Sequence, residues 1–224
     1  WDSWADKEGS IGKAYGYQIG KRYLHHSIKK KDLYSDEYLD LTCHHNWYPS
    51  MSIRGIRQVN KSSVDIYMDQ IDSVRYDIAH DPTSRRIITN IYNLQDLHDM
   101  NLYPCAYSMT FNVMDGKLNG MLNQRSQDML TANNWNVVQY AILIHMLAQE
   151  AGLEAGELIH VIGDCHIYDR HISNIKALIK REPLSAPKLI INKEIHNFYD
   201  FKPSDFTLEN YEYHPNIGKF EVAV

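Results

Sequence analysis

Residues 103–128 read YPCAYSMTFNVMDGKLNGMLNQRSQD, and this stretch decides how the middle of the chain folds. From Ala106 to Val113, large apolar and small polar side chains alternate, which is the period of a strand. Asp115-Gly116 supplies two residues that tolerate positive φ in a tight primed turn. A hairpin is therefore predicted, with Gln124-Arg125-Ser126 on its returning strand. With that loop Met114 faces Lys117, and counting back along the ladder sets Cys105 opposite Ser126 and beside Arg125. A guanidinium held next to a thiol favours the thiolate and lowers its pKa. The stretch thus predicts an activated sulfur nucleophile beside an anion-binding group. An isolated cysteine is more usually a small buried hydrophobe. The arginine neighbour and the preceding Pro104 are what argue against that role here.

Outward from the hairpin, residues 1–20 read as a loop and a short helix punctuated by Gly9, Gly12, Gly16 and Gly20. Residues 24–63 hold Lys29-Lys30-Lys31, two His-His pairs and scattered tyrosines without sustained periodicity, and are expected to form an inserted surface lobe. Ile66, Ile71, Val74 and Ile78 predict a helix from about Val64 to Ala79, ended by Asp81-Pro82. A strand is expected over 87–92. The segment 137–151 is apolar around most of its circumference, as suits a buried helix, and Gly152 is a fitting terminator. Leu158 to Ile162 reads as a short buried strand leading into Gly163-Asp164-Cys165-His166. A second helix over 169–181 and strands near 188–191 and 206–213 follow. Strands and helices mix without regular alternation, so one α+β domain spanning 1–224 is expected.

A chain of 224 residues is long enough for one substantial core. A net charge of −5 argues against a generally basic nucleic-acid-binding surface. Three cysteines, Cys43, Cys105 and Cys165, are poor material for a disulfide framework and point to a reducing compartment. No stretch is apolar enough to span a bilayer and no secretory leader is visible, so a soluble cytoplasmic protein is expected. The chain opens on Trp1-Asp2-Ser3-Trp4, an aromatic start that would normally bury against something, and is expected to continue a longer chain.

Other residues carry candidate roles beside ordinary ones. Arg85-Arg86 would point to opposite faces of a strand, one pairing with an acid and the other meeting a phosphate, or would form a solvated charge pair. His166 and Tyr168 follow a strand and a glycine. They suit hydrogen bonds to a sugar hydroxyl, or a structural role at the start of the next helix. Asn136 begins the buried helix and either caps it or reads a heterocycle, since an amide suits the N3–H and O4 edge of uracil. Cys43-His44-His45 with His25-His26 matches no tetrahedral spacing and neighbouring lysines oppose a cation, so no metal is expected.

Taken in order, several motifs resemble the thymidylate synthase family. They are Tyr103-Pro104-Cys105, Asp115-Gly116-Lys117-Leu118, Gln124-Arg125-Ser126-x-Asp128, Asn136 and Gly163-Asp164-x-His166-x-Tyr168. Trp1-Asp2-x-Trp4, Tyr15-Gly16-x-Gln18, Asp81-Pro82-x-Ser84-Arg85-Arg86 and Val222-Ala223-Val224 match as well. Each motif alone is weak, but the ordered set is specific and covers nearly everything except 24–63. The resemblance implies a layered fold in which a mostly buried central helix packs on a mixed sheet. It implies reductive methylation of dUMP to dTMP, with 5,10-methylenetetrahydrofolate as co-substrate and neither metal nor nucleic acid needed for catalysis. Cys105 would add to uracil C6, and Arg125 and Ser126 would hold the phosphate. Gln124, Gln127 and Ile167 would line the nucleotide site. Asn136 would read the uracil edge, and His166 and Tyr168 the 3′-hydroxyl. Asp128 would serve both nucleotide and pterin. Tyr15 would join the network near C5, while Trp1, Leu102, Ala223 and Val224 would line the folate side. Arg85 and Arg86 would reach the phosphate site of the other subunit of an obligate homodimer.

This chain departs from the family pattern in places. Ala106 stands where a histidine is usual, and Thr131-Ala132-Asn133-Asn134-Trp135-Asn136 replaces a Gly- and Pro-containing loop. A phosphate-binding arginine and a catalytic glutamate have no counterpart before Trp1. Residues 1–224 alone are therefore expected to be inactive. Deoxycytidylate hydroxymethylase on the same fold is an alternative that Asn136 argues against, because a cytosine edge suits an acid better. A catalytically silent nucleotide-binding or dimerisation fragment is another. A cysteine–histidine hydrolase on Cys105 and His166 would leave the ordered motifs unexplained.

Overall fold

The computed structural model describes residues 5–32, 56–218 and 220. The chain enters through helix α1 (Gly16–Gly20), then β1 (Tyr23–Lys29), β2 (Ile56–Val59) and β3 (Ser63–Met68). These strands pair antiparallel in the order β1-β3-β2. Helix α2 (Gln70–His80) follows directly.

Here the structure departs from the expected helix over Val64 to Ala79. Ser63–Met68 alternates strictly, with Val64, Ile66 and Met68 buried, so its period is two and its β-branched residues suit a pleated surface. The helix begins only after Asp69, whose carboxylate accepts the Asp72 N–H at 2.8 Å as an N-cap. The described ends of the expected lobe lie on β1 and β2, and both pair with β3, which runs beyond residue 63. Cys43, His44 and His45 fall outside the described residues.

The larger sheet holds β4 (Ile88–Asn90), β5 (Ala106–Met114), β6 (Lys117–Asp128) and β7 (Glu154–His166) in that order. Pairing is antiparallel except between β6 and β7, which run parallel, so the sheet is mixed. Parallel neighbours need a crossover, and helix α3 (Asn133–Glu150) supplies it. Tyr140, Ile144, Leu147 and Ala148 of α3 meet Phe111, Leu118 and Leu122 of the sheet, with Ile71, Val74 and Ile78 of α2 completing the core. Gly120 permits the close approach, because a Cβ there would lie 2.2 Å from Met109 Cε and 3.0 Å from Ile144 Cδ1. Gly152 takes φ 65° just past α3, the terminating role read from sequence.

Two expectations need correction here. Helix α3 starts at Asn133 rather than 137 and is one-sided: Trp135 and Val138 are exposed. The apolar run 158–162 is part of a thirteen-residue strand whose outer face is open, with Ile159 47% and Val161 45% exposed. An apolar run does not tell which face a neighbouring element will cover.

Helix α4 (Ile172–Leu178) follows, and β8 (Lys188–Ile191) and β9 (Phe206–Glu209) pair antiparallel. β9 stops short of the expected 213 because Asn210 adopts φ 57°. No helix among the described residues is long and apolar enough to cross a membrane.

A polar network absent from the sequence reading ties α2 to the end of α3. Arg75 donates to both Glu150 oxygens at 2.9 and 2.6 Å and to Asp72 Oδ1 at 2.8 Å, with all three side chains fully buried. Glu150 Oε1 also accepts the Phe198 N–H at 3.2 Å.

Candidate active site

The hairpin turns at Asp115-Gly116 and pairs Met114 with Lys117, as the turn chemistry requires. Further back the ladder slips. Ser108 pairs with Asn123 but Ala106 with Gln124, so Tyr107 is an extra residue on β5. Cys105 consequently stands opposite Arg125 rather than Ser126, and the Arg125 N–H donates to the Cys105 carbonyl at 2.8 Å. A bulge is invisible to a count that assumes an unbroken ladder.

Arg125 also uses its side chain on the same loop. Its Nε donates to Pro104 O at 3.0 Å and a terminal nitrogen to Tyr103 O at 3.1 Å. A guanidinium has five N–H donors in a fixed fork, so others remain for an anion. The effect on Cys105 differs from expectation. Burial pushes the thiol pKa up, and this outweighs the downward pull of the Arg125 charge and of a hydrogen bond with Tyr15. The resting group is a thiol.

Tyr15 reaches Cys105 from the position just before α1, and its hydroxyl oxygen accepts the Cys105 N–H at 3.1 Å. Burial raises the Tyr15 pKa as well. Its backbone sits at φ 34°, a costly conformation for a bulky residue that the surroundings must hold. The helix that follows is anchored by buried Asp96, which accepts from Lys21 at 2.6 Å, Asn93 at 2.8 Å and Gln18 at 3.1 Å. The Lys21 hydrogen bond leads in drawing the Asp96 carboxyl down to about 2.

Gln124 links both sides of the site. Its Nε2 donates to Ser126 O at 2.7 Å and to Gln127 Oε1. Its Oε1 faces Asn136 Nδ2 at 3.2 Å and His160 Nε2 at 3.0 Å. Asn136 is not a helix cap, since α3 already begins at Asn133 after Ala132. Gln127 is buried and donates to Asp128 O at 3.2 Å. The Asp128 carboxylate accepts from the N–H groups of Leu130 and Thr131 at 3.0 and 3.3 Å and from the Thr131 hydroxyl. Burial would raise its pKa, but those hydrogen bonds prevail and hold it below the ordinary value.

His166 and Tyr168 arrive at the same sheet end, because β7 runs parallel to β6 and pairs His166 with Asp128. His166 Nδ1 lies 3.1 Å from Asp164 Oδ1, and the His166 and Tyr168 rings meet edge to face at 5.0 Å. Ser126 is half-buried opposite Asp164, and Ile167 is exposed. Ligand sites at the carboxyl ends of parallel strands are a common consequence of such topology.

Arg85 and Arg86 stand apart. Both are exposed and precede β4, so the expected opposite-facing pair on a strand is not formed. Leu102 is half-buried, next to Tyr103-Pro104. Trp1, Ala223 and Val224 fall outside the described residues. His160 was missed from sequence. Its signal, one strand away and on the face of Gln124, requires knowing that β7 pairs with β6.

The family model described as thymidylate synthase matches residues 1–224. A thymidylate synthase of Bacillus licheniformis is 41% identical over 224 residues, which is 100% of this chain and 67% of that protein. Thymidylate synthase 1 of Bacillus subtilis (strain 168) is 38% identical with the same two coverages, 100% and 67%. Among solved structures, the thermostable thymidylate synthase A from Bacillus subtilis aligns with a TM-score of 0.74 at 39% identity, again over 100% of this chain and 67% of that one.

Proposed function

We infer the chemistry of this site from the premise that the chain belongs to the thymidylate synthase family. The reaction is reductive methylation of dUMP to dTMP, with 5,10-methylenetetrahydrofolate as co-substrate. We propose that Cys105 is the nucleophile. Its sulfur adds to uracil C6, the C5=C6 electron pair moves toward C5 and O4, and C5 becomes reactive. Tyr15 stays protonated because burial raises its pKa, so it orients Cys105 rather than deprotonating it. The half-buried thiol therefore gives up its proton to water as the nucleotide arrives, leaving the thiolate that adds to C6.

The remaining Arg125 donors and the Ser126 hydroxyl bind the phosphate. Asn136 presents its free oxygen to N3–H and its second N–H to O4, where negative charge develops. His166 and Tyr168 bind the 3′-hydroxyl, while Gln127 and Ile167 complete the nucleotide side. The folate supplies the one-carbon unit and the hydride, which no side chain can provide. Asp128, Leu102, Trp1, Ala223 and Val224 belong to its side of the site. The observation that carries this assignment is convergence. Cys105, Arg125 and the Gln124–Asn136 pair meet at one end of the sheet.

A homodimer in the cytoplasm is part of the same proposal. Met121 and Ile159 pair across β6 and β7 on the open sheet face and are 40% and 47% exposed, an apolar surface suited to a second copy. Exposed Arg85 and Arg86 are then free to serve the partner's phosphate site. Asn136 disfavours the deoxycytidylate hydroxymethylase alternative for the reason given above. The deciding experiment treats the full natural protein with 5-fluoro-dUMP and methylenetetrahydrofolate and maps the adduct by peptide mass spectrometry. An adduct on Cys105 is expected. One on Cys43 or Cys165, or full activity in Cys105→Ala, overturns the proposal.

A further inference from the structure

Resting on the uracil assignment above, we propose that His160 is a positioning residue for base selection: its Nε2–H holds Gln124 Oε1, and Gln124 in turn fixes which way the Asn136 amide faces. Gln124 Nε2 lies 2.7 Å from Ser126 O, and a carbonyl only accepts, so the Gln124 nitrogen belongs on that side. Its Oε1 is thereby turned to Asn136 Nδ2 at 3.2 Å and His160 Nε2 at 3.0 Å. An amide oxygen only accepts as well, so His160 must carry its hydrogen on Nε2. Two donors fill the two lone pairs of a nearly fully buried Gln124.

The Asn136 nitrogen is then committed toward Gln124 and its oxygen turned to the open side, the pattern that receives uracil N3–H. An inverted amide would offer a donor to N3 and an acceptor to the exocyclic amine, which is the cytosine pattern. Without His160 one lone pair of Oε1 is unmatched, and the Gln124 amide is held on its oxygen side by Asn136 alone. The fold sets this geometry. Leu122 pairs with His160 across β6 and β7, and Gln124 is two residues further along the same face. Burial also lowers the His160 pKa, which keeps a neutral ring with one donor nitrogen.

The test compares binding and kcat/KM for dUMP and dCMP in the full natural protein, His160→Leu and His160→Gln. His160→Leu should reduce the preference for dUMP about tenfold, the size of one lost hydrogen bond. His160→Gln, whose side-chain nitrogen can occupy the place of Nε2, should restore it. Equal loss for both nucleotides, or a Gln variant as impaired as the Leu variant, overturns the inference. Nitrogen-15 NMR of the unmodified protein provides a readout independent of folding in the variants: the Nε2–H tautomer of His160 is expected, and the Nδ1–H tautomer overturns it. A protein that forms the 5-fluoro-dUMP adduct yet shows the wrong tautomer sinks this inference alone, whereas absence of the adduct sinks the uracil assignment beneath it.

Discussion

The Tyr15 hydroxyl and the Cys105 amide, ninety positions apart in the chain, meet at 3.1 Å. The contact holds the cysteine loop against α1 from one side while Arg125 grips it from the other through Tyr103 O and Pro104 O. A half-buried thiol whose pKa burial raises is thus held in place from both sides.

Tyr15→Phe should leave the Cys105 N–H without its acceptor, at a stability cost of about 1–3 kcal/mol. It also removes a hydrogen bond that lowers the thiol pKa. Alkylation of Cys105 in the nucleotide-free protein should therefore require higher pH in the variant than in the parent. A rate–pH profile that does not move, together with unchanged denaturation, would contradict this role.

Arg125→Lys should fail to replace Arg125, because an ammonium cannot bridge Tyr103 O and Pro104 O in the same fork. Loss of one charge-assisted hydrogen bond costs about 1.5–3 kcal/mol. Formation of the 5-fluoro-dUMP adduct should slow on the order of 10²-fold. Near-normal adduct formation would show that charge alone suffices.

Asn136→Asp should lower kcat/KM for dUMP on the order of 10²-fold and raise use of dCMP, since the acid changes the donor and acceptor pattern shown to the base. Steady-state kinetics with both nucleotides decide it. An unchanged ratio removes Asn136 from base reading.

Mixing Arg86→Ala subunits with Cys105→Ala subunits should restore activity, because one of the two hybrid sites keeps both groups. Mixed dimers as inactive as either parent, after verified subunit exchange, would rule out a shared site.

Asp96→Asn tests the anchor of α1 through Gln18 and Lys21. The folded carboxyl sits at about 2, below the ordinary aspartate value near 3.9. Its stabilisation is therefore complete above about pH 4 and is lost as pH falls through about 2. The deficit of the variant in denaturation midpoint should be constant from neutrality down to that range and shrink below it. A deficit independent of pH would assign the effect to packing.

Much of this protein was legible along the chain. Asp115-Gly116 specified the turn and the Met114–Lys117 pairing, and alternation from Ala106 to Val113 specified the strand. These signals act over a few residues, where backbone conformation and side-chain period decide the outcome. The ordered motifs around Cys105 and His166 carried the family assignment for the same reason, as local strings. Other features depended on what lies on the far side of a strand or side chain. The bulge at Tyr107 moved Cys105 opposite Arg125. The parallel pairing of β6 with β7 brought His160 to Gln124 and left Ile159 open. The Cys105 thiol illustrates the difference most directly. Its arginine neighbour could be read from the sequence, but burial, which only the assembled layers create, outweighs that charge.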